Sequence, residues 1–290
     1  MAKLLSARNF SISFFLLAIL GFSVQAIPDD KPTPATVISK HLESIGSDET
    51  RTNLHGTKIT GDCLLTVREG GAGQAQGTIE LASQGEQNQL RLNFGEGLNP
   101  IWFKFDGSKT TVSQFRPGSQ TSLEKFFADY QIIIKEGLFG GVLSESWPLL
   151  RIETKNPKLE YGGTREINGQ RLAVLKYTPR QRSDLKIVLL FEPTTFRHVR
   201  TEYSHTIYVT DQQRIPGGRG ELPSPGSQRA SNARIKAFEE FSEFREEHGL
   251  VLPHSYTFEL AIQSDRNPAL VNWAVNLSNF DFSTPLSETN

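Results

Sequence analysis

The sequence predicts a mainly β protein of the α+β type, built on one strongly curved antiparallel sheet with helices on its concave side. Three observations lead to this prediction. Apolar and polar residues alternate with a period of two along most of the chain after residue 58. Turn dipeptides, among them Asp106-Gly107 and Asn168-Gly169, separate alternating segments as in antiparallel hairpins. Only two stretches show a helical pattern, one near the N-terminus and one in mid-chain.

The N-terminal segment, residues 1–26, has the anatomy of a cleaved signal peptide. A positively charged start precedes an apolar run at 12–22, and small residues end the segment at Ala26. The apolar run is shorter than a comfortable membrane span. We therefore expect cleavage near Ala26 and an exported protein, periplasmic or secreted, with no transmembrane segment in the mature chain. The remaining residues, 27–290, are long enough for one large domain.

Charge and cysteine content exclude some classes of protein. The formal net charge is −1, and the chain has no basic stripe, so we expect no nucleic-acid partner. Cys63 is the only cysteine, which rules out an internal disulfide. Its surroundings favour a buried, unreactive thiol.

The first elements follow from capping residues and alternation. Thr33 can cap a helix that has Pro34 in its first position and ends at Gly46. Alternating strands are then expected at 58–70, 73–85, 88–95 and 101–115, with a hairpin in the last.

The mid-chain helical block covers residues 121–153. Thr121 and Glu124 form a capping box ahead of a helix predicted at 122–134. The segment that follows, 135–153, contains several apolar residues and three glycines but little polar surface. We expect this segment to bury most of its surface against the sheet.

Strands resume after the helical block, in hairpins at 158–180 and 185–203. The first strand of the second hairpin is apolar without interruption at 187–191, so both of its faces need cover. Two interpretations of this strand are open. It belongs either to an ordinary two-sided core or to a sheet wrapped around an apolar cavity.

The C-terminal part of the chain begins with a segment rich in glycine and proline, 211–234, which we predict to be a flexible loop. Residues 235–263 permit either a helix or a hairpin, and the Glu-Glu-His-Gly sequence in their middle favours a hairpin. The alternation at 270–285 predicts a last strand.

Several motifs carry a family resemblance. They are the "FDG" of a hairpin (105–107), the strand pair at 162–204 and the strand "HGLVLPHSYTFEL" (248–260). Together with the order of elements, they resemble the LolA/LolB-like superfamily of periplasmic lipoprotein carriers. The resemblance implies an unclosed half-barrel whose concave side is covered by helices, without a cofactor. It also implies a hydrophobic ligand or a lipidated protein as partner.

Apolar side chains are the candidate ligand-binding residues under this resemblance. They lie on predicted strands and on the glycine-rich segment: Trp102, Phe103, Phe105, Leu138, Phe139, Val142, Leu143, Trp147, Ile187, Leu189, Phe191, Phe258 and Leu260. The alternative is that these residues only close the core. The protein would then be an envelope scaffold that binds a protein partner through the 211–234 loop and its edge strands.

The sequence contains no constellation typical of an enzyme. Ser144 lacks the flanking glycines of a nucleophile elbow. His198 and His205 are seven residues apart, so a continuous strand would point them to opposite faces, which suits no shared metal. The acidic run at 239–247 is interpreted as a solvated face. We expect no catalytic activity, no metal and no cofactor.

Overall fold

The structure is a computed structural model that describes residues 32–95, 99–113, 120–209, 231–264, 268–283 and 286. The predicted signal peptide and most of the predicted loop at 211–234 lie outside the described residues. Within the described ranges, every helix is too short or too polar to cross a membrane.

Strands dominate the described part of the chain. They are β1 (Thr57–Arg68), β2 (Ala72–Gln84), β3 (Gln87–Asn93), β4 (Ile101–Phe105), β5 (Thr110–Val112), β6 (Lys158–Ile167), β7 (Gln170–Thr178), β8 (Lys186–Phe191), β9 (His198–Val209), β10 (Ser231–Glu247), β11 (Leu250–Gln263) and β12 (Ala269–Asp281). The helices are α1 (Pro34–Ile45), α2 (Asp48–Thr52), α3 (Ser122–Asp129), α4 (Ile132–Lys135) and α5 (Ile152–Lys155), with a 3₁₀ turn at Gly141–Leu143.

All these strands form one antiparallel sheet. Their order is β5-β4-β3-β2-β1-β12-β11-β10-β9-β8-β7-β6, so the first and last strands of the chain pair in the middle. The edge strands β5 and β6 do not pair with each other, and the sheet stays open. The predicted mainly β fold, with a single unclosed antiparallel sheet and few helices, is confirmed.

Tight turns set the hairpins where their dipeptides predicted them. Asp106-Gly107 lies between β4 and β5, and Asn168-Gly169 lies between β6 and β7. The ambiguous segment is a long hairpin, β10–β11, with His248 and Gly249 at its turn. Both of these residues have positive φ, at 52° and 81°, as a type I′ turn requires.

The prediction of a loop over 211–234 was wrong at its C-terminal end, because residues 231–234 belong to β10. Their backbones continue the ladder with β9, pairing Ser231 with Val209 and Arg234 with Thr206. Glycine and proline content predicted the loop, but it does not reveal where ladder pairing begins.

The helices agree with the predicted caps but not with all predicted lengths. Thr33 accepts a hydrogen bond from the Thr36 amide at 3.1 Å, and the Thr121 capping box is formed. The single helix predicted at 122–134 is instead α3 and α4, separated at Tyr130. Ile132, Ile133 and Ile134 are all buried, and three consecutive residues cannot share the one buried face of a continued α3.

A second apolar cluster explains the strand that is apolar on both faces. Leu172, Val174 and Leu190 form it on the convex side of the sheet, apart from the main core. The register places Arg165 opposite Leu172, hence on the same face, and Arg165 reaches across β7 and β8 to Glu202 of β9 at 2.6 Å. Apolar side chains therefore cover β8 on its convex face, which accounts for the apolar residues on that side.

A β-bulge in β9 corrects the expectation for the two histidines. The register shifts so that Leu190 pairs with Arg200 while Phe191 pairs with His198. His198 is fully buried in the core, and His205 contacts the hydroxyl of Tyr130 in the helical block at 2.5 Å. Both histidines face the concave side, because the extra residue in the bulge resets the alternation.

The convex cluster gives a stability prediction. Leu190→Ala should lower the free energy of unfolding by about 3 kcal/mol, since it leaves a cavity at a fully buried site. Leu64→Ala is the matched control, because Leu64 is 38 % exposed and its loss should cost less than about 1 kcal/mol. Urea denaturation measures both values. If both variants lost the same free energy of unfolding, the convex cluster would contribute no more to stability than an exposed leucine does.

Candidate ligand-binding site: the lid and the concave face

The lid, defined as residues 136–150, crosses the concave side of the sheet between α4 and α5. Every residue from 136 to 149 is buried. Its only helical element is the 3₁₀ turn at Gly141–Leu143. Turn hydrogen bonds within the lid satisfy part of its backbone, such as the one from the Trp147 amide to the Ser144 carbonyl, and other parts of the protein supply further partners.

An aromatic cluster joins the lid to the sheet. The ring of Phe139 lies 5.8 Å from that of Phe103, 5.7 Å from that of Phe258 and 6.0 Å from that of Trp273, measured between ring centroids. Phe258 and Trp273 stack at 4.2 Å with their planes 18° apart. These rings fill the space between the lid and the concave face of the sheet.

Five of the aromatic residues predicted to bind ligand lie at three separate places. Phe103, Phe139 and Phe258 meet in the aromatic cluster. Phe191 lies instead beside His41 and His198 at another part of the concave face. Trp102 is half-buried and occupies the β4 position between the inward-facing Ile101 and Phe103.

Apart from Trp102, the twelve remaining predicted binding residues are almost fully buried. Their exposed fractions are 0 % for Leu138, Trp147, Leu189, Phe191, Phe258 and Leu260, 1 % for Phe103 and Leu143, 3 % for Phe105 and Ile187, 5 % for Phe139 and 8 % for Val142. A side chain beside a void large enough for water would keep accessible surface. These side chains therefore contact one another in a closed arrangement.

Glu239 holds the middle of the lid. Its Oε1 accepts hydrogen bonds from the Gly140 amide at 2.7 Å and the Tyr256 hydroxyl at 2.8 Å, and its Oε2 accepts one from Tyr203 at 2.6 Å. The side chain is fully buried. Loss of hydration raises the pKa of Glu239 to about 7, although the three donated hydrogen bonds oppose the rise.

The sequence interpretation of Glu239 as part of a solvated face was wrong. In β10, Ile235, Ala237, Glu239 and Phe241 alternate onto the buried face, so the carboxylate occupies a core position. That in-phase position was the signal in the sequence that could have identified it.

Glu145 fixes the second half of the lid. Its Oε1 accepts hydrogen bonds from the Gly56 amide at 2.6 Å and the Thr57 hydroxyl at 3.1 Å, at the start of β1. Its Oε2 accepts one from the Gly85 amide at 3.0 Å, and its own amide donates to Ser83 at 2.8 Å. One lid residue thereby binds three separate points of the sheet.

His41 links α1 to the lid through a single imidazole. Its Nδ1 lies 3.0 Å from the Phe196 carbonyl, and its Nε2 lies 3.1 Å from the indole Nε1 of Trp147. Since a carbonyl can only accept and an indole N–H can only donate, His41 must be neutral with its proton on Nδ1. Burial lowers the pKa of His41 to about 4, in agreement with the neutral form.

The first residue of the lid is held in a similar way. The Tyr177 hydroxyl of β7 donates to the Glu136 carboxylate at 2.6 Å. We call the contacts of Glu136, Gly140, Glu145 and Trp147 the four anchors. They tie the lid to β7, β10, the start of β1 and α1.

Glycines allow the lid to lie close to its neighbours. Gly137 has a φ of +74°, and a Cβ there would lie 2.0 Å from the Ser146 carbonyl oxygen. Gly141 has a φ of +52°, with Phe241 and His198 against it. A larger residue at Gly137 would separate two parts of the lid, and one at Gly141 would force the lid away from the sheet.

Reactive groups near the lid are held in unreactive surroundings. The Ser144 hydroxyl is buried and forms a hydrogen bond with Ser146 at 2.7 Å. Burial raises the pKa of the Cys63 thiol to about 12, which keeps it protonated, and the predicted burial is confirmed. In the described ranges, no three His, Cys, Asp or Glu side chains converge to bind a metal.

Comparisons with known proteins return solved structures only. No family model matches the chain, and no curated protein matches its sequence. One similar structure is a LolA superfamily protein from Nitrosomonas europaea, with 11 % identity and a TM-score of 0.44, covering 87 % of this chain and 94 % of its own. Another is a DUF1329 family protein from Desulfovibrio piger, with 10 % identity and a TM-score of 0.40, covering 88 % and 95 %.

A third similar structure, from Vibrio parahaemolyticus, is described as an outer membrane lipoprotein-sorting protein domain. It has 13 % identity and a TM-score of 0.40, and the match covers 87 % of this chain and 94 % of that one. The first and third of these structures bear the name of the LolA superfamily or of lipoprotein sorting, which the motifs of this chain also resemble. A shared fold does not by itself carry a function.

The buried carboxylate gives a prediction about pH. Because the pKa of Glu239 in the folded protein, about 7, exceeds the ordinary 4.5, the folded state holds a proton that the unfolded state releases between these values. This group therefore makes the free energy of unfolding fall as the pH rises from 4.5 through 7. Glu239→Gln should remove that fall. The free energy of unfolding of the wild-type protein minus that of the variant should therefore decrease by about 3 kcal/mol between pH 4.5 and pH 7.

Urea denaturation at several pH values between 4.5 and 8 measures this difference in the free energy of unfolding. The pH range includes the ordinary pKa of 4.5 and the raised value of about 7. His41, whose lowered pKa acts with the opposite sign, is present in both proteins and cancels. Glu243→Gln is the control, because that side chain is 58 % exposed and should leave the pH profile unchanged. A Glu239→Gln profile parallel to that of wild type would contradict the assignment.

Proposed function

We propose that the protein is a non-catalytic, exported binding protein whose lid gives way to the acyl chain of a lipid or a lipidated protein. The observation that carries the proposal is the construction of the lid. It is an apolar, irregular segment that lies on an aromatic sheet face and is held there by four side-chain anchors. Neither a helix ladder nor a covalent bond has to break when it leaves. The motif resemblance to lipoprotein carriers supports the same class of ligand.

The energy of the exchange favours a long acyl chain. Withdrawing five apolar lid side chains from the sheet costs about 2 kcal/mol each, or about 10 kcal/mol together. Those side chains are Leu138, Phe139, Val142, Leu143 and Trp147. Burial of about 14 methylenes of a ligand contributes about 11 kcal/mol, which offsets the loss. A chain of about eight carbons contributes only about 6 kcal/mol, too little to displace the lid.

A scaffold without a ligand is the second candidate function. The observation in its favour is the near-complete burial of twelve of the thirteen predicted binding residues, as in a closed core. In that case the working surface would lie outside the core. The unpaired edges of β5 and β6 would be available to a protein partner.

Quenching by brominated fatty acids separates the two candidates. Trp147 and Trp273 are fully buried on the concave side, and Trp102→Phe would leave them as the only tryptophans. In this variant, 9,10-dibromostearate should quench the fluorescence strongly, because the displaced lid brings bromine against the indoles. Dibrominated chains of about eight carbons should quench it little, since they bury too few methylenes.

Bromoacetate serves as the control, because it carries bromine and a carboxylate but no chain. It should not reach the buried indoles. Absence of quenching by every chain length would contradict the carrier proposal and leave the scaffold.

A further inference from the structure

A seam between the lid and the sheet opens to the surface near α2. Its outer part, the mouth, is a cleft of about 300 Å³ lined by Leu42, Arg51 and Arg151 among others. Its inner part, the throat, holds only about 20 Å³ and is mostly apolar. Leu54 and Leu150 line both parts, so the throat continues the mouth inward.

The throat runs between the lid and two strands of the sheet. Val142 and Leu143 line it from the lid, Ile59 from β1 and Leu252 from β11. Its volume is about that of a single water-sized sphere. The seam is thus nearly closed at a place where the apolar side chains that the lid contributes, Val142, Leu143 and Leu150, are aliphatic.

The two arginines of the mouth differ in their hydrogen bonds. Arg51 is held by its own neighbourhood: it donates to the carbonyls of Leu42 and Gly46 and pairs with Asp48 at 3.2 Å. Arg151 donates from Nε to the Glu145 carbonyl at 3.0 Å. In the part of the chain that the structure describes, its two terminal nitrogens have no hydrogen-bond partner.

The acidic groups of the mouth form no ion pair with Arg151 among the described residues. Both carboxylate oxygens of Glu145 accept hydrogen bonds from Gly56, Thr57 and Gly85 instead. Asp48 pairs with Arg51 and is 88 % exposed. An ion pair this exposed contributes little and is readily exchanged for another anion.

We propose that the mouth is a portal for single-chain anionic amphiphiles. The open side of the Arg151 guanidinium binds a carboxylate or phosphate headgroup, and the chain passes Leu54 into the throat beneath the lid. A guanidinium offers two parallel N–H donors, which match the oxygens of either anion. This inference rests on the proposed function, and it specifies both the headgroup class and the route by which the lid is displaced.

Two probes with the same chain test the headgroup preference. They are 9,10-dibromostearate, which is anionic, and 9,10-dibromooctadecanol, which is neutral, titrated against the Trp102→Phe protein by quenching. The protein should bind the anion about ten-fold more tightly than the alcohol, as expected for a charge-assisted hydrogen bond. Arg151→Gln should abolish this preference and leave binding of the alcohol unchanged.

Matched variants control for charge and folding. Arg171→Gln removes one positive charge from an exposed arginine that does not line the mouth, and it should keep the preference. Arg151→Lys keeps the positive charge but loses the two parallel N–H donors of the guanidinium, so it should give an intermediate preference for the anion. Leu54→Phe, which narrows the route, should slow the uptake of both probes equally.

Competition distinguishes the two sources of an anionic headgroup. Palmitate and hexadecyl phosphate are each titrated against bound dibromostearate, and the stronger competitor identifies the preferred anion. The portal proposal would be overturned if the Trp102→Phe protein bound the acid and the alcohol equally. It would also be overturned if Arg151→Gln and Arg171→Gln showed the same preference for the acid. Either result would leave the carrier proposal standing. No quenching by either probe would overturn both.

Discussion

A segment without regular secondary structure that is buried against a sheet needs hydrogen-bond partners beyond its own backbone, and the lid depends on this constraint. Short turns supply some of its hydrogen bonds, such as the one from the Leu143 amide to the Gly140 carbonyl. Side chains distant in sequence supply others, with Glu239 accepting from the Gly140 amide and Ser83 from the Glu145 amide. A buried carboxylate in a strand is costly, and the hydrogen bonds from Gly140, Tyr203 and Tyr256 offset part of that cost for Glu239.

Two of the four anchors leave the group outside the lid with another hydrogen-bond partner if the lid departs. Glu239 would lose the Gly140 amide but keep the hydroxyls of Tyr203 and Tyr256. His41 would lose Trp147 but keep the Phe196 carbonyl. Glu145 would leave with the lid and carry its charge into water. The Tyr177 hydroxyl would lose Glu136, and the Gly56 and Gly85 amides would lose Glu145, so opening costs these hydrogen bonds in addition to the apolar contacts that an apolar ligand can offset.

The sequence was sufficient for features that depend on neighbouring residues. Asp106-Gly107 and Asn168-Gly169 mark their turns, and Thr121 with Glu124 marks a helix start, because each is a contact between residues close along the chain. Features that depend on distant residues were not predictable. Glu145 binds Gly56 across the fold, and the bulge in β9 has no sequence signal of its own. The segment 135–153 was correctly expected to bury most of its surface, but side-chain packing, not residue type, determines whether a cavity lies beside the apolar candidates.

The strand order has a consequence for how the chain assembles. β1 to β5 form one meander and β6 to β12 another, and each grows by pairing between consecutive strands. The two meanders are joined in the sheet only where β1 pairs with β12, from Lys58 opposite Asp281 to Arg68 opposite Leu270. That closure brings together nearly the whole length of the chain, so its entropic cost is high and it should come late. Until β12 has emerged from the ribosome or a translocation channel, the central seam of the sheet cannot form.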